Sequence, residues 1–199
     1  MKQTILKYIS LLAFLGSTFF SSQTFAAECA TGTAPLAGCT IDVSDITYTL
    51  TGNITPAVGD VGIQFNTGAD RNIVTLTGNI TTTGTFAYGL VLDNSNSNIT
   101  NLTGNIKTTG TFAAGLYLFN SDSNTTNLTG NITTTGGIGH GLYLLESDSN
   151  TTNLTGNIRT TEDNAAGLYL LDSDSNTTNL TGNITTTGNA TNGLFINTS

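Results

Sequence analysis

Basic residues are nearly missing from this chain: five Lys and Arg among 199 residues stand against 13 Asp and Glu, for a formal net charge of −8 at pH 7. Nucleic acids and anionic lipid surfaces are bound through clustered cations, so this scarcity excludes both as partners. Charge of either sign is scarce too, at 9% of residues, where ordinary soluble domains carry about 25% and disordered chains usually more. There is no Trp, one His, two Pro and two Cys. Most of the polarity comes instead from roughly 40 Thr and roughly two dozen Asn, residue types that favour strands and turns over helix. A long helical bundle does not fit this composition.

The first residues read as an address. Lys2 and Lys7 precede and flank an apolar run ending at Leu15 that is too short to span a bilayer, and Thr24-Phe25-Ala26 places small residues at the exit. This is the pattern of a secretory signal over residues 1–26, cleaved after Ala26 or Ala27. Glu28 stands where a lipoprotein signal needs a small residue before Cys29, so lipidation is not expected. The expected location is exported: periplasm, cell surface or extracellular space. Export allows oxidation, and the spacing of Cys29 and Cys39 predicts a local disulfide in an N-terminal cap over residues 27–49. Closing so short a loop stabilises a fold by about 2–3 kcal/mol.

A repeat governs residues 50–199. Leu-Thr-Gly-Asn-Ile begins at Leu50, Leu76, Leu102, Leu128, Leu154 and Leu180, always 26 residues apart, and a second block, Gly-Leu-aromatic-Leu, begins at Gly89, Gly115, Gly141, Gly167 and Gly193 with Val91 in the first aromatic place. The earliest copy, Gly62-Ile63-Gln64-Phe65, sits one residue early. Apolar residues alternate with period two within a unit, as in Leu76 to Thr81 and Leu90 to Leu92, which predicts two to three short strands. No unit carries an apolar stripe of helical period, so horseshoe, ankyrin and tetratricopeptide architectures are excluded. The expected fold is all-β, a right-handed parallel β-helix (β-solenoid) of about six 26-residue coils. Four aliphatic side chains per unit cannot offset the entropy of ordering a lone coil, so the coils must stack. Leu76, Ile80, Leu90 and their copies are then expected to form interior columns. Gly78 and its copies are expected to admit a side chain from the opposite wall.

Outward columns are where a function would lie. Tyr117, Tyr143, Tyr169 and Phe195 predict an aromatic ladder suited to sugars or apolar partners, or to stacking on itself. Asn98, Asn101 and their copies predict amide ladders. Asp122, Asp148 and Asp174 would stack like charges, tolerated by solvent or bridged by a cation, with calcium the natural but weak candidate. Asp172-Ser173-Asp174-Ser175-Asn176 lacks the Gly and Glu of an EF-hand loop. No catalytic residue and no cofactor is expected, and His140 occupies a position that is Tyr88, Ala114, Ala166 and Asn192 in other coils, as a variable turn would.

The signal peptide, Tyr48-Thr49-Leu50-Thr51-Gly52-Asn53-Ile54-Thr55 and the later copies of Asn-Leu-Thr-Gly-Asn-Ile resemble the passenger region of a bacterial autotransporter (type V secretion) over about residues 28–199. That resemblance implies a parallel β-helix shown at the outer membrane or released, commonly for adhesion. The sequence ends at Asn197-Thr198-Ser199 without a translocator barrel, as a truncated passenger would. The expected function is non-enzymatic, structural or adhesive. The partners would be a host surface, a glycan, or a second copy at an uncapped C-terminal coil. The alternative is an ice-binding solenoid using ranks such as Thr77, Asn79 and Thr81, interrupted by Lys107 and Arg159. A polysaccharide-acting β-helix enzyme is the remaining reading.

Overall fold

The computed structural model describes residues 27–34 and 37–197; the signal segment 1–26 lies outside them. The chain winds as a parallel β-solenoid of about 6 turns, with three sheets as its walls and no helix among the described residues. The first sheet has seven strands, running from Gly32–Thr33 and Thr47–Thr51 through Ile73–Thr77 to Thr177–Thr181. The second has five, from Ile80–Thr82 to Ile184–Thr186, and the third has eight, from Ala27–Glu28 and Cys39–Ile41 to Asn192–Asn197. Every pairing is parallel, and equivalent residues meet at the repeat interval: Leu102 pairs with Leu76 and Leu128, and Tyr143 with Tyr117 and Tyr169. Ile63 pairs with Leu90, 27 positions on, which is the early register of the first copy.

The sheets extend into the described residues before Leu50, because Ala27–Glu28 pairs with Cys39–Ile41, Cys39–Ile41 with Ile63–Phe65, and Thr47–Thr51 with Ile73–Thr77. Cys29 and Cys39 form a disulfide inside this first turn, and both are buried.

The interior holds the expected columns. Leu76, Ile80, Leu90 and Leu92 are each at most 1% exposed, and their copies down to Ile158 remain buried. In the last described coil the column opens: Leu194, placed inside by its alternation, is 53% exposed, because among the described residues it has a coil on one side only.

Two readings of the alternation need correction. Leu76 to Thr81 is not one strand but two, Ile73–Thr77 and Ile80–Thr82, in different sheets, with the chain turning a corner at Gly78-Asn79. Gly78 admits no side chain from the opposite wall. It sits at φ +156°, and a Cβ there would lie 1.9 Å from the carbonyl oxygen of Gly52 in the coil below. The expected device exists in the other glycine column: a Cβ on Gly89 would lie 2.4 Å from Cγ2 of Ile106, which reaches across the narrow interior.

Side chains, not only strands, bind the coils together, since turn N–H groups must find partners. Asn98 N–H donates to Oδ1 of Asn124, and the same bond repeats to Asn150 and Asn176 at 2.7–2.8 Å. At the corner, the backbone and side-chain N–H groups of Asn79 both donate to Oδ1 of Asn53, and this ladder continues to Asn183. A third ladder links the amides of Asn101, Asn127, Asn153 and Asn179 directly.

A column of buried threonines closes each turn after the second sheet: the hydroxyls of Thr82, Thr108 and Thr134 donate to the carbonyls of Ala87, Ala113 and Gly139. Thr160, next in the column, is buried with its hydroxyl unpartnered. Burying an unmatched hydroxyl costs free energy, whereas deleting a matched one strands its acceptor. Thr160→Val should therefore keep or raise stability by up to about 1 kcal/mol, and Thr134→Val should lower it by about 1–2 kcal/mol. Urea unfolding of both variants checks this, and equal losses would contradict the assignment.

Candidate functional site

The aromatic residues picked out by the repeat do form a ladder. Tyr117, Tyr143, Tyr169 and Phe195 follow one another along the third sheet with ring centroids 5.0, 5.1 and 4.5 Å apart. They are half-buried and not fully outward-facing, and a second column leans onto two of them. Tyr88 stacks on Tyr117 at 4.8 Å and 25°, and His140 on Tyr169 at 4.5 Å and 24°. Each thus leans onto the rung of the next coil.

His140, which the sequence placed in a variable turn, is therefore a structural part of this site and is 7% exposed. Ala166 N–H donates to its Nδ1 at 2.9 Å, so the neutral ring carries its proton on Nε2. Burial holds its pKa down, at about 4. The phenols shift the other way: burial first, then the neighbouring Tyr143, pushes Tyr88 up to about 12. Burial, followed by Tyr88, Tyr143, Asp93 and Glu146, raises Tyr117 still further. Around neutral pH these side chains are uncharged donors and acceptors.

A third column forms the opposite wall. Phe86, Phe112 and Ile138 sit at φ 58°, 58° and 57° in the turn before the third sheet. This left-handed conformation suits Gly or Asn and strains a bulky or β-branched residue. Asn164 occupies the same place one coil on. The strain holds Phe86 and Phe112 out, 53% and 42% exposed, with their rings stacked at 5.3 Å. Backbone strain of this kind gathers at ligand sites. Between the walls lies an open groove of about 340 Å³, floored by Tyr88, Ala114 and His140. Among the described residues no Lys or Arg lines it.

The other candidates resolve differently. The carboxylate of Asp122 accepts the N–H of Asp148 at 2.7 Å, and that of Asp148 accepts the N–H of Asp174 at 2.6 Å. The aspartate column thus performs the backbone bonding that Asn96 provides to Asp122. Among the described residues no group of three His, Cys, Asp or Glu side chains converges on a metal position. Thr77 and Thr81 fall in different sheets on either side of the Asn79 corner, so that rank does not lie on one flat face.

Repeat phase alone located the ladder, but it missed Tyr88, His140 and the Phe86 column. One signal was legible: large apolar residues at Phe86, Phe112 and Ile138 inside a Thr/Gly-rich turn. Compared with known proteins, the chain matches no family model, no curated protein and no solved structure.

Proposed function

We propose that this chain is an exported, surface-exposed or secreted β-solenoid of the autotransporter-passenger kind, non-enzymatic, which presents an aromatic groove for adhesion to glycans. The observation that carries the reading is the groove itself: apolar rings held out on strained turns, facing a second row of rings, on a chain whose polarity is mostly uncharged Thr and Asn. Purely structural coils need no strain to hold phenylalanine in water. Aromatic faces edged by hydroxyls suit sugars, which offer apolar faces and polar rims.

Beads carrying the full chain should adhere to glycan-coated surfaces. Replacing Phe86 and Phe112 by Ser removes exposed rings at little cost to the core, and adhesion should fall by about tenfold or more. The triple variant Tyr117→Ser, Tyr143→Ser, Tyr169→Ser should do the same, with circular dichroism confirming the fold. Asp122→Asn, Asp148→Asn and Asp174→Asn should leave adhesion intact. Adhesion that survives both aromatic variants would leave a scaffold with no binding role for its groove.

A further inference from the structure

The floor column alternates: Tyr88 and His140 carry rings, and Ala114 and Ala166 at the equivalent positions carry none. Tyr88 covers the rung of the next coil, Tyr117, and His140 covers Tyr169. By the same step, residue 114 would cover Tyr143, but residue 114 is Ala, 1% exposed at the base of the groove. Tyr143 lies at 35° to Tyr117 but at 85° to Tyr169 and 72° to His140, so the ladder changes orientation between Tyr143 and Tyr169. The floor therefore lacks one ring, between Tyr88 on one side and His140 on the other. Those positions are two strand spacings apart, about 10 Å. A single ring with contacts of about 3.5–4 Å on each side fits that interval, and two do not.

We infer that the interval one coil beyond Ala114, beside Tyr143 and between the rings of Tyr88 and His140, is a socket for one pyranose ring of an uncharged glycan. The inference rests on the reading of the groove as glycan-binding and assigns its sugar class. Charge favours a neutral ligand: Asp93 and Glu146 act on Tyr117 as negative neighbours, and among the described residues no cation lines the groove to receive a carboxylate or sulfate. Polar chemistry favours a sugar over a plain aromatic ring. His140 spends Nδ1 on Ala166 and keeps an Nε2–H donor without a partner among the described residues, on a side chain more than nine-tenths buried. The phenols of Tyr88, Tyr117 and Tyr143 surround the same space with neutral hydroxyls. An aromatic ligand would leave these groups unmatched, and a pyranose edge would pair them.

The test is saturation-transfer NMR on the full chain with methyl glycosides of glucose, galactose, mannose and N-acetylglucosamine. Glucuronic acid serves as the charged counterpart and phenol as the aromatic one. At least one neutral glycoside should take up saturation from the aromatic protons and outcompete both comparators. Ala114→Tyr supplies the missing rung from within, in the residue type that Tyr88 already places at this position, and should weaken glycoside binding at least about tenfold. Ala114→Ser keeps the gap and should retain binding. Failure of every neutral glycoside to bind, equal or tighter binding of glucuronic acid or phenol, or undiminished binding by a folded Ala114→Tyr chain would each overturn the socket. If bead adhesion still falls in the Phe86/Phe112 variant while Ala114→Tyr binds normally, the socket fails and the adhesive groove stands. If neither changes, both fail.

Discussion

Gly130→Ala is expected to remove at least about 3 kcal/mol of stability, although it adds a single methyl group. Gly130 sits at φ +147°, and a Cβ there would lie 1.9 Å from the carbonyl oxygen of Gly104 and 2.6 Å from its carbonyl carbon. Both atoms belong to backbone that is fixed by its own bonds, since Gly104 N–H donates to Thr129 and Gly130 N–H to Thr155. No side-chain rotation relieves the contact, so the corner must open and take the coil spacing with it. Gly137 is the contrasting site: nothing lies within 4 Å of a Cβ there. Gly137→Ala should be neutral or stabilising by up to about 1 kcal/mol, through the reduced entropy of the unfolded chain. Urea unfolding of the two variants side by side decides the matter. A Gly130→Ala chain within about 1 kcal/mol of the parent would mean that the corner is not packed as described.

Acidification should destabilise the chain through His140 by about 3 kcal/mol between pH 6.5 and 4. In the unfolded chain the imidazole titrates near its ordinary 6.5, whereas burial in the folded chain delays protonation to about 4. Between those values the unfolded state binds more protons. The stability is fully present above pH 6.5 and is lost progressively as the pH falls to about 4. Protonation also removes the Nδ1 acceptor from Ala166 N–H. His140→Asn keeps a neutral acceptor, of the type found at Asn192, and should flatten this slope. Carboxylates titrate in both chains, so the difference between parent and variant isolates His140. Denaturant melts at pH 7 and pH 4 that show the same loss in both would exclude a buried neutral histidine.

Much of the solenoid was legible because its information is periodic. A residue recurring at a fixed interval, such as Leu76, Leu102 and Leu128, must meet its own copies once the coils stack, so the interior columns and the aromatic ladder follow from phase. Alternation was less reliable at corners. The run from Leu76 to Thr81 keeps its period through Gly78, yet the chain bends there, because glycine alone accepts both the φ and the contact with the coil below. The aspartate column was misleading for a related reason. Sequence shows like charges in line, but Asp122 and Asp148 each face a backbone N–H of the next coil, and that geometry is not written in residue type.

By itself, the sequence determined the 26-residue frame, the all-β class, the stacking of coils and the scarcity of charge that stacked columns require, since like charges repeated every few ångströms would repel. Only the tertiary structure decided the groove. Its walls come from a strained turn and a strand, its floor from side chains that lean one coil forward, and its distinguishing feature from the ringless interval that Ala114 leaves between Tyr88 and His140. Such contacts join residues offset by a coil plus three positions, as Tyr88 meets Tyr117 and His140 meets Tyr169. A repeat frame aligns equivalents and is blind to that offset, because the direction in which a side chain leans is set by packing.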